Sequence, residues 1–316
     1  MVAVLLVGFN RPDLLELRLQ ELLGSNMRGT PIFLSVDGPR HANAEDLEKI
    51  QEIKKLADSY KCKFEQLLNV NFELENLGCD LHIFRAISKI LIDHEATICI
   101  EDDVAIGSQT ISCFVTKYET DKPIIISGMS TFQISGPIGT HLLKNTWRKS
   151  DYFSAWGYLV TRKFWENFSP ETNIHAIQKK LAYSNSWYRL PAYKRRTWLE
   201  RFRRGNIDYQ IQLELFSRNI EVVLPLYRIV ENTGLGDNRA THTYHKRPIS
   251  MFGMGPSRIY PSTFHQIRNR TALRIWKLLD SHTWAGDGYF SVRGRNFGVR
   301  SLVNKIFSVF FSERQK

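Results

Sequence analysis

The chain of 316 residues is poor in cysteine. Its four cysteines, Cys62, Cys79, Cys99 and Cys113, have no CxxC spacing, and none follows Cys113. That pattern excludes a zinc ribbon and a disulfide framework and fits a reducing compartment. Long apolar runs are also missing. The N-terminal MVAVLLVGF has no basic n-region and falls far short of the ~20 residues that a membrane span requires, so it is expected to be a buried strand of a cytosolic protein. There is no internal repeat and no low-complexity linker. Acids are scarce in one part of the chain only. Through Lys122 there are 13 Lys+Arg against 20 Asp+Glu, net −7, whereas the remainder holds 30 against 12, net +18. A basic second half suits nucleic acid, an anionic membrane surface or a phosphorylated substrate, and composition does not choose among them.

What is present is enough to build a sizeable core: 43% of the residues are hydrophobic and 24% are charged. VAVLLVGF reads as a buried strand, and NRPDLLELRLQELLGSN as a helix entered through Asn10, Arg11 and Pro12. PIFLSVDGPR is a second strand, and NAEDLEKIQEIKKLADSY an amphipathic helix. A short strand around KCKFEQLLN, a helix from about Leu81 to His94 and the strand ATICI follow. Continuously apolar strands alternating with helices predict an α/β fold, a mostly parallel sheet covered on both faces. In the second half PIIISGMSTF reads as a strand, DYFSAWGYLVTRKFWENF as a loop, strand and helix, and DYQIQLELFSRN as a helix before the strand IEVVLPLYRIV. The expected division is residues 1–122, then 123–245 within the same domain, then a basic, partly helical C-terminal extension, 246–316.

Open parallel sheets bind ligands beyond the carboxyl ends of their strands. Three strands here end in polar residues: Asn10-Arg11, Asp37-Gly38 and the acid triplet Glu101-Asp102-Asp103. Each alone is a cap, turn or solvated loop, but together they look like a nucleotide site. Clustered carboxylates suit Mg2+ or Mn2+, hard cations that take oxygen ligands and bridge to phosphates.

VAVLLVGFNRPDLLELRLQELL, PIFLSVDGPR, ICIEDDV and SAWGYLVTRKFW, in this order, resemble the GT-A fold glycosyltransferases, most closely the N-acetylglucosaminyltransferase I type with its EDD version of the DxD motif. The resemblance covers roughly residues 1–245. It implies a Rossmann-like sheet, a UDP-sugar donor and Mn2+ or Mg2+. By motif position it implies that Arg11 approaches the donor phosphates and that Asp37 recognises uracil. It further implies that Glu101 faces the sugar, that Asp102 faces the ribose, and that Asp103 binds the metal. His82 falls near the family's uracil-side histidine, at a slightly different spacing. Arg11 is suited to forking onto phosphate oxygens, and Asp37 to accepting the imide N–H that cytosine lacks.

An inverting transfer needs one carboxylate to take the acceptor hydroxyl's proton. Asp208, at a helix start after the Trp-Gly segment, is the expected base, a helix N-cap being its plainer role; Asp151 is the second candidate. SAWGY resembles the family's loop beside sugar and acceptor, with glycine and tryptophan in a different order. There Trp156 is expected to stack on a sugar face, or to be a core tryptophan, while Gly157 allows close passage. In the loop GLGDNRATHTYH, His242 is the expected second metal ligand and His245 its rival. WYRLPAYKRRTWLERFRRGN interleaves seven basic residues with aromatics and is expected to meet an acceptor or an anionic membrane, nucleic acid being the less favoured partner. RSLVNKIFSVFFSERQK reads as an interfacial helix or as one docked on the domain.

The expectation is therefore a cytoplasmic glycosyltransferase, peripheral at a membrane's inner face. It is metal-dependent and inverting, and moves a sugar, first N-acetylglucosamine, from a UDP-sugar to a hydroxyl of a glycan or lipid-linked acceptor. One rival is a nucleotidyltransferase on sugar phosphates, which needs a Gly-rich phosphate loop that GFNRPD does not supply. The other is a nucleic-acid or membrane-binding module on a degenerate sugar-nucleotide fold.

Overall fold

The computed structural model describes residues 1–25, 29–65, 67–119, 122–129, 146–190, 192–225, 229–234 and 265–266. Strand β1 (Val2–Gly8) lies in the sheet interior with all but its first residue well covered. It pairs in parallel with β2 (Ile32–Val36) on one side and β4 (Ala96–Glu101) on the other, and β2 pairs in parallel with β3 (Leu68–Phe72). The connecting helices are α1 (Pro12–Leu23), α2 (Ala44–Lys61) and α3 (Cys79–Asp93). Pro12 opens α1, where its missing N–H costs no hydrogen bond, and Asn43 caps α2 by accepting from the Asp46 N–H at 3.0 Å. Helix α1 lays Leu15, Leu19 and Leu22 on the sheet, each fully buried and each worth about 1.5–3 kcal/mol of apolar burial.

Beyond β4 come the short strand β5 (Val104–Ile106), α4 (Thr110–Lys117), β6 (Ile125–Ser127), β7 (Thr146–Ser150) and β8 (Tyr158–Thr161). Then follow α5 (Arg162–Trp165), α6 (Ile174–Leu181), α7 (Asn185–Arg189), α8 (Ala192–Arg203), α9 (Ile207–Ser217), β9 (Val222–Pro225), β10 (Val230–Asn232) and β11 (His265–Gln266). The main sheet runs β11-β7-β9-β6-β8-β4-β1-β2-β3, and β5 pairs with β10 in a separate two-stranded ladder. Strand β8 enters antiparallel between β4 and β6, so the parallel order is broken where the second half begins. The expected α/β class with a mostly parallel sheet is the one observed.

Four local readings change. The strand expected around KCKFEQLLN starts at its end: α2 runs through Lys61, and the chain then turns on the Phe64 N–H to Tyr60 carbonyl bond before β3 begins at Leu68. Strand β3 is an edge strand, LNVNF, in which apolar and polar residues alternate, with Leu68 buried and Asn69 exposed. IEVVLPLYRIV does not make one strand, since β9 joins the main sheet and β10 pairs with β5. The α3 helix begins at Cys79, two residues before the expected start.

Helices α6 to α9 form a lobe with its own aromatic core: Tyr152, Trp187, Trp198, Phe202 and Phe216 with Ile177, Leu181, Leu190 and Leu213. Its rings meet at tilted and edge-on angles, with Trp198 to Phe202 at 5.5 Å and Tyr152 to Phe216 at 5.8 Å between centroids. Helix α9 is buried on nearly all sides, so its polar residues carry internal bonds. Gln212 accepts from the Phe153 N–H at 2.7 Å and donates to the Asp151 carbonyl at 2.9 Å, and Gln210 donates to the Phe202 carbonyl at 2.7 Å.

Candidate functional site

The parallel register lines up Gly8 with Val36 and Val7 with Glu101, so the ends of β1, β2 and β4 share one rim. Two backbone bonds extend the ladder past the strands: the Asp37 N–H donates to the Gly8 carbonyl and the Asp102 N–H to the Val7 carbonyl, both at 3.0 Å. Arg11, Asp37 and the acid triplet are thereby carried to one edge by main-chain geometry.

Arg11 precedes α1 and turns onto the acids. Its Nε donates to Asp102 Oδ2 at 3.0 Å, its Nη2 to Asp102 Oδ1, and its Nη1 to Asp103 Oδ2 at 3.3 Å. A guanidinium has five N–H groups, so two remain for a ligand. Burial pushes the Asp102 carboxyl up to about 6, and Arg11 draws it back only in part. Glu101 rises well above the usual carboxylate range through burial and then the charges of Asp103, Asp208 and Asp102.

Asp208 comes from α9 in the lobe, yet it is near enough to Glu101 for their charges to repel. Its side chain is exposed to water, with protein packed around it. Loss of hydration and then the charge of Asp80 push its carboxyl up to about 7. Cys79, exposed at the start of α3, lies near the same acids, and the protein packed around it, then Glu101 and Asp208, push its thiol far up. Arg11 and Arg18 thus act on Asp102 and Asp103, while Glu101 feels Asp208 and Asp208 feels Asp80. Arg18 is buried in α1 behind Asp102 and Asp103. Its Nη2 donates to Glu21 Oε1 at 2.9 Å, while its Nε and Nη1 have no partner among the described residues.

Among the described residues no group of three or more His, Cys, Asp and Glu side chains is gathered as a metal cage. The donor set nonetheless fits a hard divalent cation. All the donors are carboxylate oxygens, the kind of ligand such a cation takes, and burial first and the neighbouring acids second raise Glu101 and Asp102. His242 and His245 lie outside the described residues.

Asp37 is buried and fully engaged. Its Oδ1 accepts from the Gly38 and Leu77 N–H groups, both at 2.9 Å, and its Oδ2 from Gly78 N–H at 3.0 Å and Asn76 Nδ2 at 3.1 Å. Those four bonds fill the carboxylate's acceptor positions and pin the loop leading into α3. His82, on the buried side of α3, shares a 2.8 Å hydrogen bond with Ser35 Oγ; burial lowers its pKa, against the raising effect of Asp37 and Glu73.

Gly157 has φ +62°, and a Cβ there would stand 2.8 Å from Val230 Cγ1, so its close approach is to β10. Trp156 is half-buried and packs on the main core. Asp151 is buried, and its Oδ2 accepts from Arg189 Nη2 at 2.7 Å.

The basic run is largely structural. In α8, Lys194, Trp198 and Phe202 face inward, Arg195 donates to the carbonyls of Tyr188 and Leu190, and Arg201 stands 5.3 Å from the Tyr209 ring centroid. Tyr193, Arg196, Arg203 and Arg204 are exposed. No helix among the described residues is long and apolar enough to cross a membrane. The C-terminal extension lies outside the described residues except for β11.

Sequence reading missed three contributors. Asp80 hides in GCDLHIF as an ordinary first-turn acid. Arg18 looks like a surface residue of a periodic helix. Gly234, in VENTG, brings the chain after β10 so close that a Cβ would lie 2.5 Å from Asp103 Oδ2, and the neighbouring Thr233 N–H donates to the Asp103 carbonyl at 2.7 Å. Only the turn signal of Asn-Thr-Gly hinted at it.

No family model and no curated protein matches the chain. Solved structures with similar folds include a mannosyltransferase, PcManGT, from Pyrobaculum calidifontis in complex with GDP-Man and Mn2+. It has 12% identity and a TM-score of 0.37, over 57% of this chain and 52% of that one. Residues 1–349 of S. aureus TarS have 11% identity and a TM-score of 0.38, over 71% and 57%. GalNAc-T7 with UDP, GalNAc and Mn2+ has 12% identity and a TM-score of 0.43, over 72% and 44%. The chain spans about half the length of these structures.

Proposed function

We propose that the chain is a glycosyltransferase of the GT-A type that moves a sugar, N-acetylglucosamine in the first instance, from a UDP-sugar to an acceptor hydroxyl with inversion. The observation that carries the reading is that the charge of Asp208, a carboxylate from the lobe, acts on Glu101 of the acid triplet at the end of β4, while burial and Asp80 push its own carboxyl up to about 7. A base poised near neutrality suits removal of a hydroxyl proton.

In this reading the acceptor oxygen attacks the anomeric carbon, and its proton passes to the Asp208 carboxylate. The bond from the anomeric carbon to the diphosphate oxygen breaks, with the electron pair leaving on UDP. Arg11, oriented by Asp102 and Asp103, offers its two remaining N–H groups to the diphosphate. Glu101 faces the sugar and Asp102 the ribose. Asp37 serves the uracil end together with His82 through the loop it pins, since its own oxygens are already engaged. Trp156 and Gly157 border the acceptor side.

Asp103, with His242, would hold Mn2+ or Mg2+, whose charge neutralises the leaving diphosphate. The acceptor is a glycan or lipid-linked saccharide, approached from the side of the basic lobe, with peripheral contact to an anionic membrane at the cytoplasmic face.

The test is transfer or donor hydrolysis with a panel of UDP-, GDP-, CMP- and dTDP-sugars, with and without Mn2+. Metal-dependent, UDP-selective turnover is expected, and Asp208→Asn should reduce it about 10²–10⁴-fold. Full activity in that variant would remove Asp208 from the chemistry, and a retained anomeric configuration in the product would exclude single displacement.

A further inference from the structure

The cleft contains a carboxylate that the strand-end rule does not pick out. Asp80, in the first turn of α3, accepts from the Ile207 N–H at 2.8 Å on Oδ1 and from Asn206 Nδ2 at 3.1 Å on Oδ2. Ile207 opens α9 and Asn206 precedes it, and Asn206 makes no side-chain cap for its own helix. The start of α9 is therefore capped from another helix, and the next residue is Asp208. On its other side Asp80 follows the loop that Asp37 pins through the Leu77 and Gly78 N–H groups. A continuous series of bonds thus runs from the end of β2, through residues 76–80, to the first residue of α9.

We propose that Asp80 is the positioning residue of Asp208, holding the start of α9 against α3 so that the Asp208 carboxylate faces Glu101. The inference rests on the reading of Asp208 as the base. A helix N-terminus needs only a local Ser, Thr, Asp or Asn to satisfy its first N–H groups. Asn206 is such a residue, yet its side chain turns toward Asp80 instead. A cap drawn from α3 does what a local cap cannot: it fixes the distance between two elements that each contribute to the cleft. Misplacing a reacting group by about 1 Å costs on the order of 10²-fold in rate.

The experiment measures kcat, donor KM and melting temperature for the full chain with UDP-N-acetylglucosamine and Mn2+. Asp80→Ala should lower kcat about 10- to 100-fold with little change in KM, because donor contacts are untouched. Asp80→Asn keeps an oxygen for the Ile207 N–H and should restore most of the rate. The double variant Asp80→Ala with Asn206→Asp gives α9 a local cap. It should recover the melting temperature and leave kcat low, and it carries the test if Asp80→Ala alone does not fold. Recovery of wild-type kcat in the double variant would overturn the proposal, since capping alone would then matter, and so would a wild-type kcat in Asp80→Ala. Asp208→Asn separates the two layers: if it is inactive while the Asp80 variants run at the wild-type rate, only the positioning role falls. If Asp208→Asn is fully active, the base assignment falls first.

Discussion

Two regions bring carboxylates to the same cleft by different means. In the parallel half, Glu101, Asp102 and Asp103 end a strand whose Ile98 and Ile100 pair with Val4 and Leu6 of β1, and main-chain bonds such as Asp102 N–H to the Val7 carbonyl set their place. In the lobe, Asp208 sits on a helix held by tryptophan and phenylalanine rings, by Gln210 and Gln212, and by Asp80 from across the cleft. The first placement belongs to the backbone and tolerates side-chain change. The second belongs to side-chain packing, so single substitutions far from the chemistry should reach it.

The sharpest break in that contrast comes from truncating the lobe core. Trp198→Ala removes a buried ring at the centre of the aromatic cluster and should cost about 3–5 kcal/mol, read by chemical denaturation. Any folded protein that remains should lose turnover along with stability. Ile98→Val in the sheet should cost about 0.5–1.5 kcal/mol and leave turnover unchanged, because the strand end does not move. Equal loss of turnover in both would erase the distinction.

Arg11→Ala probes the backbone-held side through charge. It leaves the nearly buried Asp102 carboxylate without its cation, and breaking such a pair typically costs about 3 kcal/mol or more at neutral pH. The loss should shrink as pH falls below about 6, where Asp102 takes up a proton. A pH-independent loss would assign the effect to packing.

Smaller effects follow from the protonation of Asp208 and Asp46. For Asp208, a carboxyl raised to about 7 is the active base only above that pH, so turnover at saturating donor should rise between pH 6 and 8 and then level off. Its raised value also means that stability falls as pH climbs from the unfolded carboxylate range toward 7, so Asp208→Asn should melt higher at pH 8 than the wild type. Asp46 has the opposite sign. Hydrogen bonds from Arg40 foremost hold it down at about 2, so the stability it contributes is present above the unfolded value near 4 and lost as pH falls through 2. Asp46→Asn should therefore flatten the acid limb of the melting profile.

The same contrast explains what could be read from the sequence. VAVLLVGF, PIFLSV and ATICI announce buried strands, and their polar ends announce a rim, because strand period and the strand-end rule are local. Arg11 and the triplet are legible for that reason. The lobe is not, because α6 to α8 are short helices whose buried tryptophans sit among arginines, and the mixed composition resembles a solvated or partner-facing run. Asp80 and Asn206 are far apart in the chain, and no periodicity links them. The split of IEVVLPLYRIV into two strands of different sheets was invisible for the same reason: pairing partners, and not propensity, divide it. The placement of His242 lies outside the described residues.

The central claim is that Asp208 and the triplet make one catalytic cleft. It is tested most directly by UDP release from UDP-N-acetylglucosamine in Mn2+, with UDP affinity measured in parallel, for the wild type and Asp208→Asn. The account predicts at least about a 10²-fold slower release at unchanged UDP affinity in the variant. Equal rates of release would contradict it.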